Sequence, residues 1–296
     1  MKNKLFFPIF FSIISFCFSQ TNNKNIKVID IAEKQIKLLK KNQDNKIILS
    51  TIYNPYKELW NGYLGNENDF IKWMNEKGNK KISTLNTNQK VNPKYLTKEL
   101  KRFSRKMYQF TGFKPDGNWY IIYGPAWTNL GGLSTGEMIL DLSHNRNSTN
   151  EKIIKLYPHE LNHQIYFYTK PKSEKIALDR ILDEGFATYV SYLFHNQKYT
   201  ISEELGYSEK EYQYCVNNEK ILIGLLKKYY LDENESVSRN LADRNYKVGK
   251  EFPGAIAYYL GFKIIENYVS LNGKDSWKDI YKMNPLEVLE KSKILK

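Results

Sequence analysis

Two histidines four residues apart, in Pro158-His159-Glu160-Leu161-Asn162-His163, are the residues of this chain best placed to do chemistry. On a helix a spacing of four puts both imidazoles on one face, one turn above the other. Such a pair can hold one zinc ion, and Glu160 can reach a water bound to that metal. Two ligands and a general base do not complete a catalytic zinc site, which takes a third protein ligand and keeps one position open.

The third ligand is sought downstream. Glu184, in Leu182-Asp183-Glu184-Gly185-Phe186-Ala187-Thr188-Tyr189, meets the pair if two antiparallel helices bring it back. Asp183 is the alternative: it either ligates or fixes one histidine by accepting its second N–H. His195 follows a hydrophobic helix with no partner groups around it, and His144 reads as a loop residue. Gly185 is costly inside a helix, so it points to close packing at that level.

These residues need two helices to carry them. Ser148-Thr149-Asn150-Glu151 offers a capping box for the first, and Ile153, Ile154, Leu156, Tyr157, Leu161, Ile165 and Phe167 recur at helical spacing. Pro158 removes one backbone donor inside it and predicts a kink. The second helix spans 173–194, after the Lys170-Pro171 break. Upstream, 95–110 reads as a helix and 119–123 as a short strand ended by Gly124-Pro125. Gly131 to Gly136 lacks the Gly-Lys-Ser/Thr ending of a phosphate loop. The strand 137–142 lies just before the metal helix, where it serves either as an ordinary core strand or as an exposed edge able to take an extended peptide. Residues 253–269 form a last helix rich in small residues.

From 22 to 90 the chain is polar and patchily helical, with one amphipathic helix from Val28 to Leu39 and another over 69–76; 78–92 reads as a linker. The start is a processing segment: Lys2 and Lys4 precede an apolar run from Leu5 to Phe18, with cleavage expected at Ser19. Bulky Phe16 before Cys17 argues for a soluble exported product over a lipid-anchored one. With that peptide gone, Cys215 is the only cysteine, so no internal disulfide forms. The net charge of +13, or +11 without Lys2 and Lys4, is clearly basic. The lysines are scattered along the sequence rather than clustered, so no nucleic-acid partner is expected, and no later stretch is apolar enough to span a membrane.

The HExxH followed by Glu184 resembles the gluzincin branch of zinc metallopeptidases. More closely, Glu184-Gly185-Phe186-Ala187-Thr188-Tyr189 and Ala257-Tyr258-Tyr259-Leu260-Gly261-Phe262 are similar to a poorly characterised bacterial family of predicted secreted zinc-dependent proteases. The resemblance covers about residues 95–270. It implies His159, His163 and Glu184 as Zn2+ ligands and Glu160 as the base of a peptidase acting on a peptide or protein. Thr188 stands where better-known gluzincins have an acidic residue, and Ala257 where a glycine is expected. Tyr258, ahead of Tyr259, is the candidate donor to the oxyanion of a tetrahedral intermediate.

The expectation is therefore an α+β, mostly helical chain with a zincin-like domain and a small sheet beside the metal helix. Residues 1–19 are a signal peptide, 20–92 an N-terminal helical lobe or propeptide, and 93–296 the catalytic domain. The expected function is secreted zinc-dependent peptide hydrolysis. The rival expectation is an inactive or structural zinc-binding scaffold or binding protein of the cell envelope.

Overall fold

A computed structural model describes residues 26–40, 44–88, 91–133, 135–173 and 175–296. The expectations on the signal peptide, the Ser19 cleavage and Cys17 lie outside them. The first element among the described residues is a strand, β1 (Lys27–Asp30), followed at once by helix α1 (Ile31–Lys40). The single helix expected from Val28 to Leu39 is thus a strand and a helix. The Asn/Lys/Thr-rich stretch expected as a linker holds a helix, α2 (Asn79–Asn88), anchored by fully buried Ile82. Local propensity gave way there to packing.

Helix α3 (Pro93–Thr111) starts with Asn92 accepting from the Tyr95 amide and stops at Gly112, whose φ of 81° is the left-handed value a helix end favours. Strands β2 (Asn118–Ile122), β3 (Leu130–Gly132) and β4 (Met138–Asp141) complete a four-stranded sheet in the order β1-β2-β4-β3. The first two pairings are parallel, with Val28 opposite Trp119 and Ile121 opposite Leu140. The β3–β4 pairing is antiparallel, with Leu130 opposite Leu140. β4, the strand before the metal helix, is buried along its whole length and sits inside the sheet. The exposed-edge alternative raised for it falls to β3 instead.

Alternation along β2 sends Trp119 and Tyr120 to opposite faces of the sheet. Trp119 Nε1 donates to Gln164 Oε1 at 2.8 Å on helix α4 (Asn150–Thr169), while Tyr120 packs edge-on against Tyr56. Gln35 of α1 clasps the end of β2, exchanging hydrogen bonds with the Tyr123 backbone at 2.8 and 2.9 Å.

The loop after β2 is tied down by one carboxylate. Buried Asp141 accepts from the amides of Gly124 (2.8 Å), Ala126 (2.7 Å) and Ser143 (2.8 Å) and from the Tyr63 hydroxyl (2.9 Å). Asp141→Ala leaves those donors unmatched, and we expect about 3 kcal/mol of lost stability in urea unfolding. A variant as stable as the parent would show that this loop is not held from Asp141.

α4 is capped one residue later than expected, by Thr149 accepting from the Lys152 amide, and runs continuously through Pro158. Helix α5 (Ala177–Phe194) returns alongside it, and helix α6 (Ile256–Asn272) packs against α5. α5 and α6 touch backbone to backbone. A Cβ on Gly185 would fall 2.1 Å from the Gly261 carbonyl carbon, and one on Gly261 would fall 1.9 Å from the Ile181 oxygen. The close packing read from Gly185 is present. Between α5 and α6 lie four shorter helices (Ile201–Leu205, Glu209–Asn217, Glu219–Tyr229, Glu235–Ala242). Mostly helical with a small mixed sheet, the fold is α+β. Among the described residues no helix is long and apolar enough to cross a membrane.

Candidate metal centre

Helix geometry does for His159 and His163 what the spacing implies: their Nε2 atoms stand 3.0 Å apart, with the rings nearly perpendicular. Glu184, projecting from α5, places Oε2 3.3 Å from His163 Nε2 and 3.6 Å from His159 Nε2. Glu184 Oε2 is buried and accepts no well-formed hydrogen bond among the described residues. Three donor atoms bound to one tetrahedral zinc at about 2.05 Å lie about 3.3 Å from one another. The observed triangle of 3.0, 3.3 and 3.6 Å matches that spacing. Among the described residues these three form the cluster able to hold a metal ion.

Asp183 lies on the outer side of the His163 ring, the place of the second alternative raised for it. Its Oδ1 lies 3.0 Å from His163 Nδ1, the nitrogen facing away from the cluster, a close charge contact without well-formed hydrogen-bond geometry that leaves Nε2 turned toward Glu184. The electrostatics follow from two acids and two imidazoles sharing a dry site. Burial alone acts to lower the His163 value, but Asp183 and Glu184 outweigh it and hold it well above the ordinary range. Burial acts to raise the Glu184 carboxyl, while the His163 charge, followed by contacts with both imidazoles, pulls it well below. His159 is lowered by burial, partly opposed by Glu184.

Glu160 lines the same cleft, and burial pushes its carboxyl up to about 8. Without a metal ion beside it, and with the His163 charge opposing burial only in part, the carboxyl favours its protonated form at neutral pH. Tyr258 lies beside the cluster: its ring is parallel to that of His159 at 5.9 Å, and its hydroxyl is within reach of Glu184. Burial, and then the Glu184 charge, raise that hydroxyl well above the usual tyrosine value. Tyr259 is elsewhere, nearly fully buried and bonded to Glu219 at 3.2 Å. His144 lies in the turn after β4, its Nδ1 accepting from the Arg146 amide at 3.2 Å.

Three features of the site had no sequence signal. Arg244 sits 4.5 Å over the Tyr258 ring, brought there by the segment before α6. Asn162, one of the two variable positions of the motif, is fully buried and accepts from the Tyr281 hydroxyl, locking α4 to the C-terminal region. His195 is paired with Glu204 at 2.7 Å, and Ser191 donates to the same carboxylate at 2.9 Å. Only a motif's own spacing is visible in a sequence, and these partners are 9 to 119 residues apart.

The cluster opens into a cleft of about 1000 Å3 bounded by β3, α4, α5 and the Ala242–Asn245 segment. The donor set can bind a divalent cation; nothing in it names a bond to be broken.

The sequence profile of the family described as "Gliding motility protein GldB" matches residues 144–294, just over half of the chain. No curated protein and no solved structure matches. The family match overturns the resemblance to zinc metallopeptidases and, with it, the expected function of a secreted protease and metalloprotease. The physical reason is plain: two histidines and a glutamate at this spacing could hold an ion, and an HExxH spacing places donor atoms without specifying hydrolysis. The matched profile covers α4, α5 and α6, so His159, His163 and Glu184 lie within the family region itself. The family is one of cell-envelope lipoproteins. Export agrees with that placement, while the preference for a soluble product over lipid anchoring finds no support in it.

Proposed function

Because the chain belongs to the GldB gliding-motility family, we propose that it is a cell-envelope component of that machinery, a binding or scaffold protein whose His159, His163 and Glu184 hold a zinc ion. The observation carrying this reading is the triangle of 3.0, 3.3 and 3.6 Å with a buried, unsatisfied Glu184 oxygen inside it. An arrangement of two imidazoles and a carboxylate is what a borderline-soft divalent ion takes. When bound, the ion supplies a fixed positive charge and ties α4 to α5, which sets the shape of the cleft. The metal helix beside a short antiparallel edge strand supports a zincin-like framework, here kept for binding.

The chain's own residues do the rest. Asp183 holds the His163 ring in its ligating orientation. Tyr258 and Arg244 wall the cleft at the level of the ion. Exposed Trp127 and half-exposed Phe167 stand at its mouth and offer aromatic surface to a bound partner.

The test separates binding from hydrolysis in a gliding host whose own gene copy is deleted. His163→Ala should fail to restore gliding because it removes a ligand, whereas Glu160→Gln should restore it with zinc retained. A Glu160→Gln chain that folds and carries zinc yet leaves cells immobile would contradict the scaffold reading.

A further inference from the structure

Helix α3 carries two interleaved stripes. Leu96, Leu100, Phe103 and Met107 are buried against the core, Phe103 meeting Tyr157 of α4 edge-on. Lys94, Lys98, Lys101 and Arg105 follow at spacings of four, three and four, all exposed. By helix rise they form one line of cations roughly 16 Å long. Exposed Tyr95 and Tyr108 stand near its two ends, and exposed Lys106 lies beside it.

The line is not neutralised from within. Glu99, the only acid on the helix, is buried and paired with Arg102. Lys94 reaches Glu33 at 3.6 Å, and Glu33 is shared with Lys37. Lys98, Lys101 and Arg105 form no ion pair among the described residues. In the sequence these cations read as scattered; the helical period gathers them on one face.

We propose that this face of α3 is a docking surface for an anionic lipid bilayer. Three observations select that occupant. The cations lie in a row along a helix exterior, all of them exposed, which suits a charged plane better than a small ligand. Tyrosine is a residue of the membrane–water interface, with an apolar ring and a polar tip. A protein of a cell-envelope lipoprotein family works within reach of such a surface. The geometry also keeps the other site usable. α3 packs on the Tyr157 side of α4, where the Tyr157 hydroxyl donates to the Leu96 carbonyl at 3.2 Å. His159 projects about 200° round the helix from Tyr157. A bilayer under α3 therefore leaves the metal cleft facing away from it.

The inference does not rest on the metal. Its test uses the full chain with Cys17→Ser, which removes any acyl anchor at that residue, co-sedimented with two kinds of vesicle. One kind is phosphatidylcholine alone; the other contains phosphatidylglycerol as well. Each near-surface cation contributes roughly fivefold to affinity. Lys98→Glu/Lys101→Glu/Arg105→Glu should therefore weaken binding to the anionic vesicles at least tenfold and leave binding to the neutral ones unchanged. Thermal unfolding and metal content should match the parent, since all three side chains are exposed. Lys210→Glu/Lys220→Glu/Lys227→Glu makes the same charge change on other helices and should have little effect. Equal losses in the two triple variants would mean net charge alone acts and would overturn the proposal. So would no loss in the α3 variant, or binding to a short DNA duplex as tight as to the anionic vesicles and lost with the same substitutions.

Discussion

Replacing Gly261 by alanine should both destabilise the protein and loosen its hold on zinc. The substitution improves helix propensity by about 1 kcal/mol. Against that, its methyl carbon would sit 1.9 Å from the Ile181 carbonyl oxygen, a backbone atom that no rotamer change can move aside. Overpacking with backbone displacement costs typically 1–3 kcal/mol and more when neither side can yield. Here both sides are backbone, so the overlap wins, and a net loss of about 3 kcal/mol is expected in chemical unfolding. Relief requires α5 and α6 to separate. Glu184 is the residue before Gly185, and Tyr258 lies three before Gly261, so separation draws both away from the histidines. Zinc affinity should fall at least tenfold. Gly185→Ala, facing Gly261 at 2.1 Å, should behave alike. Parental stability in either variant would mean the two helices do not touch there.

A second large effect is expected from Glu160→Gln in the metal-free protein, and it depends on pH. Burial raises the folded-state value of Glu160 from an ordinary 4.5 to about 8. Between those values the folded chain keeps a proton that the unfolded chain has released. The folded state therefore binds more protons, and its stability falls as pH rises through that window. Each unit of difference is worth about 1.4 kcal/mol, which sets an upper limit near 5 kcal/mol; about 3 kcal/mol is a sound expectation. Glutamine has no proton to lose, so the variant should equal the parent near pH 4.5 and exceed its stability by about 3 kcal/mol at pH 8. His163, held high by Asp183 and Glu184, loses its own stabilising contribution as pH climbs through its folded value, but that loss is common to parent and variant. Added zinc should narrow the gap, because a nearby cation favours the ionised carboxylate. Unfolding curves of the two chelator-treated proteins across this range check it. A constant difference at all pH values would mean Glu160 is not in a desolvated site.

The convergence of His159, His163 and Glu184 on one point was legible in the sequence. His159 and His163 share a helix, and a spacing of four has one geometric meaning there. Glu184 could be found because a glutamate beside a helix-interior glycine marks a crowded crossing, which Gly185 and Gly261 make. The choice between Asp183 and Glu184 needed coordinates, since adjacent residues point about 100° apart and the helix phase was not fixed by the pattern.

The sheet was half visible. β2 and β4 are apolar runs, but β1 pairs with β2 across some 90 residues, Lys27 opposite Asn118, and a parallel pairing of that kind leaves no turn signal. Ile82 alone in a polar stretch could not announce α2. The basic stripe was hidden for another reason: the cations were read as scattered along the chain, and their phase on α3 was not used. Function was the least legible. A donor set specifies an ion and its protonation chemistry, whereas the partner of a cleft is written in surface shape, and that depends on loops such as the one Asp141 ties down.

The central claim is that one ion joins His159, His163 and Glu184, and metal analysis of the purified chain addresses it most directly. The parent should carry one equivalent of zinc per chain, His163→Ala and Glu184→Ala should carry almost none, and Glu160→Gln should carry as much as the parent. Zinc absent from the parent after growth and dialysis with zinc supplied, or retained in full by both ligand variants, would contradict the account.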